Sequence, residues 1–112
     1  MNNDSPTPNE SDAGGNISGK PQRKAWNVPL GQLYVTRNAA DQLHNHVILS
    51  AIARHCSGDW GDVCEEDWQA NEYAMEVGNR LLSSYTSPDG VKFWIITEWD
   101  RSVTTILLPD DY

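Results

Sequence analysis

The chain has 112 residues, with 16 acidic and 8 basic side chains and a net charge of −8. A length of this order supports one small domain, burying roughly 60 to 65% of its unfolded surface, which leaves no room for a large internal ligand cavity. The acidic balance weighs against direct nucleic-acid binding, and no window approaches the roughly eighteen apolar residues of a membrane span.

Residues 1–25 are a run of Asn, Asp, Ser, Pro and Gly with one isolated isoleucine, too polar to offset the cost of ordering, and are expected to be disordered. They lack the apolar stretch of a secretory signal, so a cytoplasmic location is expected, with Cys56 and Cys64 reduced. The tail's three acids balance Lys20, Arg23 and Lys24, so all the excess negative charge falls in a domain from Trp26 to Tyr112.

Gly31 to Thr36 alternates Leu33 and Val35 against Gln32, Tyr34 and Thr36, the pattern of a half-buried edge strand. Thr36 is placed to cap a short helix from Arg37 to about Leu43, because its hydroxyl can accept from a first-turn amide. Val47, Ile48, Ala51 and Ile52 then form the apolar stripe of a second helix, which Ser57-Gly58 ends. Gly58 to Asp67 carries two glycines, a tryptophan and five carboxylates, the composition of an exposed loop. Asp62 with Glu65 has capping-box spacing, and the third helix runs to about Gly78 or Asn79 with Ala70, Ala74, Val77 and Leu81 as its inward stripe.

Leu81–Thr86, Val91–Glu98 and Val103–Leu108 read as strands joined by Ser87-Pro88-Asp89-Gly90 and by Trp99–Ser102. Connections this short allow only antiparallel pairing, since a parallel crossover needs about a dozen residues or more. On the central strand Phe93, Ile95 and Thr97 share one face, while Trp94, Ile96 and Glu98 share the other. The second face is expected to be covered by the Trp26 segment or left as a binding surface. The fold class is α+β: two or three helices packed on one face of a three- or four-stranded antiparallel meander sheet. A free sheet edge is a candidate for homodimer formation.

The residues GDWGD from Gly58, Asn71-Glu72, Arg80-Leu81-Leu82-Ser83 and WIITEWDRSVTTILLPDDY from Trp94 resemble a family of small uncharacterised bacterial proteins of plasmids and other mobile elements. The resemblance spans roughly Leu30 to Tyr112. It implies a setting among defence or counter-defence genes and no established chemistry. Family members sometimes carry a restriction-modification subunit label, but this chain has no methyltransferase cofactor loop.

Several side chains could carry chemistry. His44, His46, His55, Cys56 and Cys64 supply zinc-type atoms, but their spacing matches no standard site. Asp59, Asp62, Glu65 and Glu66 could bind calcium, yet they lack the D-x-D-x-D-G order of a calcium loop. No metal or cofactor is therefore expected, a structural metal module being a third reading. A small nuclease or toxin-like phosphodiesterase is the alternative reading, with His55 as acid or base and Arg80 and Arg101 on a phosphate, oriented by Tyr85, Thr97 and Thr104. Against it, Arg101 has ordinary surface partners in Asp100 and Glu98, and the net charge repels a polyanion.

The leading reading is a non-enzymatic interaction module. Asp59, Trp60, Asp62, Glu65, Glu66, Glu72 and Glu76, with Asp67 and Trp68, present acids around aromatics with no base among them. Such a surface suits a basic or nucleic-acid-handling protein, the acids steering encounter and the aromatics anchoring it. The competing explanation is a solvated helix face with Trp60 and Trp68 turned into the core.

Overall fold

Two tight turns fold the C-terminal third of the chain into a meander. The computed structural model describes residues 24–112, so the expectation for the preceding tail lies outside the described residues. In order, the elements are β1 (Gln32–Val35), α1 (Arg37–Gln42), α2 (Asn45–Cys56), α3 (Glu65–Val77), β2 (Leu81–Thr86), β3 (Lys92–Thr97) and β4 (Val103–Leu107), followed by a 3₁₀ turn at Pro109–Asp111. Strands β2, β3 and β4 pair antiparallel, with Tyr85 opposite Phe93 and Thr97 opposite Thr104. In the first turn the amide of Gly90, at φ 90°, donates to the Ser87 carbonyl. In the second, Arg101 takes φ 62° and its amide donates to Glu98.

The fourth strand is parallel. β1 lies beside β4 with Gln32 opposite Val103 and Val35 opposite Ile106, making the sheet mixed, in the order β1-β4-β3-β2. Three helices and two strands separate β1 from β4, so no short turn dictates its direction.

The larger apolar cluster lies on the Phe93–Ile95 face of the sheet, while Ile96 and Leu107 are buried on the other. Tyr85, Phe93, Ile95 and Ile106 pack with Ala39 and Leu43 of α1's end, Ile48 and Ala51 of α2, and Leu108. Thr36 caps α1 as expected, accepting from the Ala39 amide at 3.1 Å, and the α2 stripe faces inward as expected. A second cluster gathers Val28, Trp60, Ala74 and Leu81, with Trp26, Trp68 and Met75 against it. On the other face the C-terminal Tyr112, not the Trp26 segment, sets its ring edge-on to Trp94 at 5.8 Å.

Helix α3 differs from the expected pattern in cap and in phase. Its N-cap is Cys64 rather than Asp62, whose carboxylate instead accepts from Thr86 Oγ1 at 3.0 Å. Of the expected stripe, Ala74 and Leu81 are buried, but Ala70 and Val77 are exposed. Asn71 and Glu72 turn inward in their place because both find polar partners there. The Asn71 side chain donates to the Leu82 carbonyl at 2.8 Å and accepts from the Leu82 amide at 3.1 Å, closing the outer edge of β2 as a neighbouring strand would.

Two residues on, the 60–62 segment continues this closure: the Ser84 amide donates to the Trp60 carbonyl and the Ser84 carbonyl accepts from the Asp62 amide. Gly61 makes that approach feasible. At φ +78° it would place a Cβ 2.0 Å from the Ser84 carbonyl oxygen, whereas Gly78, at φ +82°, has nothing within 4 Å. Substituting Gly78→Ala is therefore expected to cost only the left-handed backbone penalty of about 1–2 kcal/mol. Gly61→Ala adds displacement of the segment from β2, and its urea midpoint should fall at least twice as far. Equal losses would mean that the 60–62 segment is not held against the sheet edge.

Candidate functional site

His55 lies in the last turn of α2 and is fully buried. Its Nδ1 is 2.6 Å from Ser83 Oγ and its Nε2 is 2.8 Å from Thr97 Oγ1. Thr97 Oγ1 is in turn 2.8 Å from Thr104 Oγ1, which donates to the Leu30 carbonyl at 2.7 Å. That carbonyl can only accept, so it sets the direction of the whole chain. Thr104 spends its proton on Leu30 and accepts from Thr97; Thr97 then accepts from His55 Nε2–H, and Nδ1 accepts from Ser83. The network thus assigns the neutral Nε2–H tautomer. Burial, reinforced by the positive charge of Arg101, pushes the imidazole down to about 4. With no exposed surface and both nitrogens engaged, His55 does not face a surface substrate.

The two arginines of the phosphodiesterase reading are also engaged. Arg101 Nη1 donates to the carbonyls of Asn79 at 2.6 Å, Glu98 at 3.1 Å and Trp99 at 3.3 Å, and Nη2 to that of Ala74 at 3.1 Å. It closes the C-terminal end of α3, where the helix dipole favours a cation, instead of pairing with the carboxylates of Asp100 or Glu98. Asp100 accepts from the backbone and hydroxyl of Ser102. Arg80 donates to Tyr112 Oη at 2.9 Å. Among the functional groups of that reading, Tyr85 donates to the Asp59 carbonyl and Thr97 and Thr104 belong to the His55 chain, so the structure assembles no exposed acid–base and phosphate cluster from them.

The acidic loop and helix divide into structural and exposed parts. Trp60 is fully buried and cannot anchor a partner; its Nε1 donates to Glu72 Oε2 at 2.9 Å. The second oxygen of Glu72 accepts from Trp26 Nε1 at 3.0 Å, so one carboxylate satisfies two indoles. Asp59 pairs with Arg54 at 2.7 Å and holds the Gly61 amide, and Asp62 is the Thr86 acceptor described above. Glu65, Glu66 and Asp67 stand exposed in the first turn of α3, Glu65 accepting from Gln69, and Glu76 lies 3.9 Å from Lys24.

The potential metal ligands are dispersed. His44 and His46 stack on each other at 5.6 Å, the Cys56 thiol donates to the Val28 carbonyl, and Cys64 is an exposed free thiol. Among the described residues, no three His, Cys, Asp or Glu side chains gather where they could hold an ion. A shallow cleft of about 280 Å³ beside α2 is lined by His46, Ser50, Arg54, Tyr85 and Phe93, but Asp59 already neutralises its arginine.

The outer face of α3 exposes two apolar residues: Val77, which the sequence pattern placed on the inward stripe, and Tyr73, which it did not single out. Tyr73 is 61% exposed and Val77 50% exposed. They follow Glu66 at helical spacings of seven and eleven residues, and so share its face, with Glu76 beside them. With Asn71 and Glu72 turned inward, Tyr73 falls on the opposite side of the helix, a phase that depends on contacts with distant residues and that the local pattern does not signal. No described helix is long and apolar enough to cross a membrane. Family models, curated proteins and solved structures contain no match to this chain.

Two outcomes follow for the buried groups. His55 is held near 4 in the fold against about 6.5 when unfolded, so the unfolded chain binds more protons between these values. Its contribution, on the order of 3 kcal/mol, is present above pH ~6.5 and lost as pH falls toward 4. Urea midpoints measured across this window should fall and should fall equally in a His44→Gln, His46→Gln variant; a flat profile contradicts the assignment. Glu72→Gln keeps the shape but sets an amide N–H₂ against one indole N–H, and is expected to lose about 1–3 kcal/mol in urea unfolding.

Proposed function

We propose that this domain is a non-enzymatic interaction module of bacterial mobile elements, acting in the cytoplasm on a basic, nucleic-acid-handling protein. The contact surface in this reading is the outer face of α3. The observation that carries it is the exposure of Tyr73 and Val77 among Glu65, Glu66, Asp67 and Glu76, on a helix whose inner side is pinned through Asn71 and Glu72. A rigid tyrosine offers a large contact area at little entropic cost, and a rim of like charge raises the encounter rate with an oppositely charged partner. Asp59, Asp62 and Glu72 are spent on the fold, whereas Glu66 and Asp67 stand exposed in the first turn of the helix.

The test is affinity capture from a bacterial lysate, eluting with duplex DNA as a competitor for the partner's basic surface. Wild type should retain a basic protein that DNA displaces. Tyr73→Ala should weaken the interaction at least about tenfold, and Glu66→Lys with Asp67→Lys should slow association and reduce its salt dependence. Glu72 must be left intact because its loss disturbs both indoles. Capture unaffected by these substitutions, or no specific capture, contradicts the proposal.

A further inference from the structure

The two edges of the sheet are treated differently. β2 is closed along its middle by the Asn71 amide at Leu82 and by the 60–62 segment at Ser84. Among the described residues, β1 has no such cover. The amides of Gln32 and Thr36 donate to Ser102 and Ile106 on the β4 side, at 2.9 and 3.0 Å. In a parallel ladder the alternate residues, Leu33 and Val35, then direct both backbone groups away from β4. Nothing among the described residues pairs with them. Leu33, Tyr34 and Val35 are 42%, 55% and 40% exposed, and Gln32–Val35 contains none of the charges, prolines or bulges that usually guard an open edge.

We propose that this edge pairs with the same edge of a second copy, antiparallel about a two-fold axis at Tyr34, joining two four-stranded sheets into one. The inference is independent of the α3 surface. The register is self-complementary: Leu33 meets Val35 of the other copy and Val35 meets its Leu33. Each is a hydrogen-bonded pair, because the groups involved are the ones left facing outward. Tyr34 meets its symmetry mate in the close, non-hydrogen-bonded position between them. Arg37 comes opposite Gly31 of the second copy, where the chain turns out of the strand at each end, so the paired segment is confined to Gln32–Thr36. Because β2 is closed, association stops at two copies and does not continue into a fibre.

Sedimentation equilibrium of the full chain tests this directly. The expected mass in the micromolar range is twice the 12.5 kDa of the chain. Leu33→Pro removes an outward amide and places a ring on the open edge without removing a bond to β4, and should give a folded monomer by circular dichroism. In a Cys56→Ser, Cys64→Ser background, Tyr34→Cys should form a disulfide-linked dimer on mild oxidation, since Cα atoms in such a pair lie about 4.5 Å apart, within disulfide range. Leu33→Cys, facing Val35, should not. This pair of variants decides the matter should Leu33→Pro fail to fold. A monomeric wild type, a dimer that persists in folded Leu33→Pro, or equal cross-linking by both cysteine variants overturns the proposal.

Discussion

The hydrogen-bond chain from Ser83 through His55, Thr97 and Thr104 to the Leu30 carbonyl is the constraint on which the remaining structure depends. It ties α2 to β2, β3 and β4 and to the segment entering β1. Every side chain in it is buried, so any shift of α2 along the sheet would strand polar atoms at a cost of about 1–3 kcal/mol each. Apolar contacts between α2 and the sheet tolerate sliding; this chain does not. The chain fixes a proton on Nε2, and burial together with the positive charge of Arg101 keeps the imidazole neutral.

A similar economy governs the acidic region. Glu72 accepts from two indoles, Asp59 orders the loop through Arg54 and Gly61, and Asp62 reaches Thr86. These bonds bring the loop against β2, bury Trp60 beside the His55 ring, and leave α3 with its inner face fully committed. The fold leaves part of its surface over. On α3 that remainder is a tyrosine and a valine rimmed by carboxylates, and on the sheet it is the β1 edge.

The meander was legible because its connections are too short for any other pairing, and the α1 cap and α2 stripe because each depends only on neighbouring residues. The direction of β1 was not, since residues far apart in the chain decide it. The phase of α3 misled for a physical reason: alanine and valine mark a core face by hydrophobicity, but Asn71 and Glu72 gain more from the Leu82 backbone and two indole donors than Ala70 and Val77 would from burial. The same partners decide between the two readings of the tryptophans, with Trp60 fully inside. His55 and Arg101 have the chemistry of a phosphodiesterase site in one dimension and that of a core tie and a helix-end clamp in three.

The most direct measurement of this account is ¹⁵N spectroscopy of the histidine rings in the folded protein at neutral pH. A neutral His55 with a slowly exchanging proton on Nε2 and a bare Nδ1 is the predicted result, because the Leu30 carbonyl leaves no other direction for the chain. A proton on Nδ1, or rapid averaging between tautomers in contact with water, would contradict it and return His55 to the set of accessible acid–base groups.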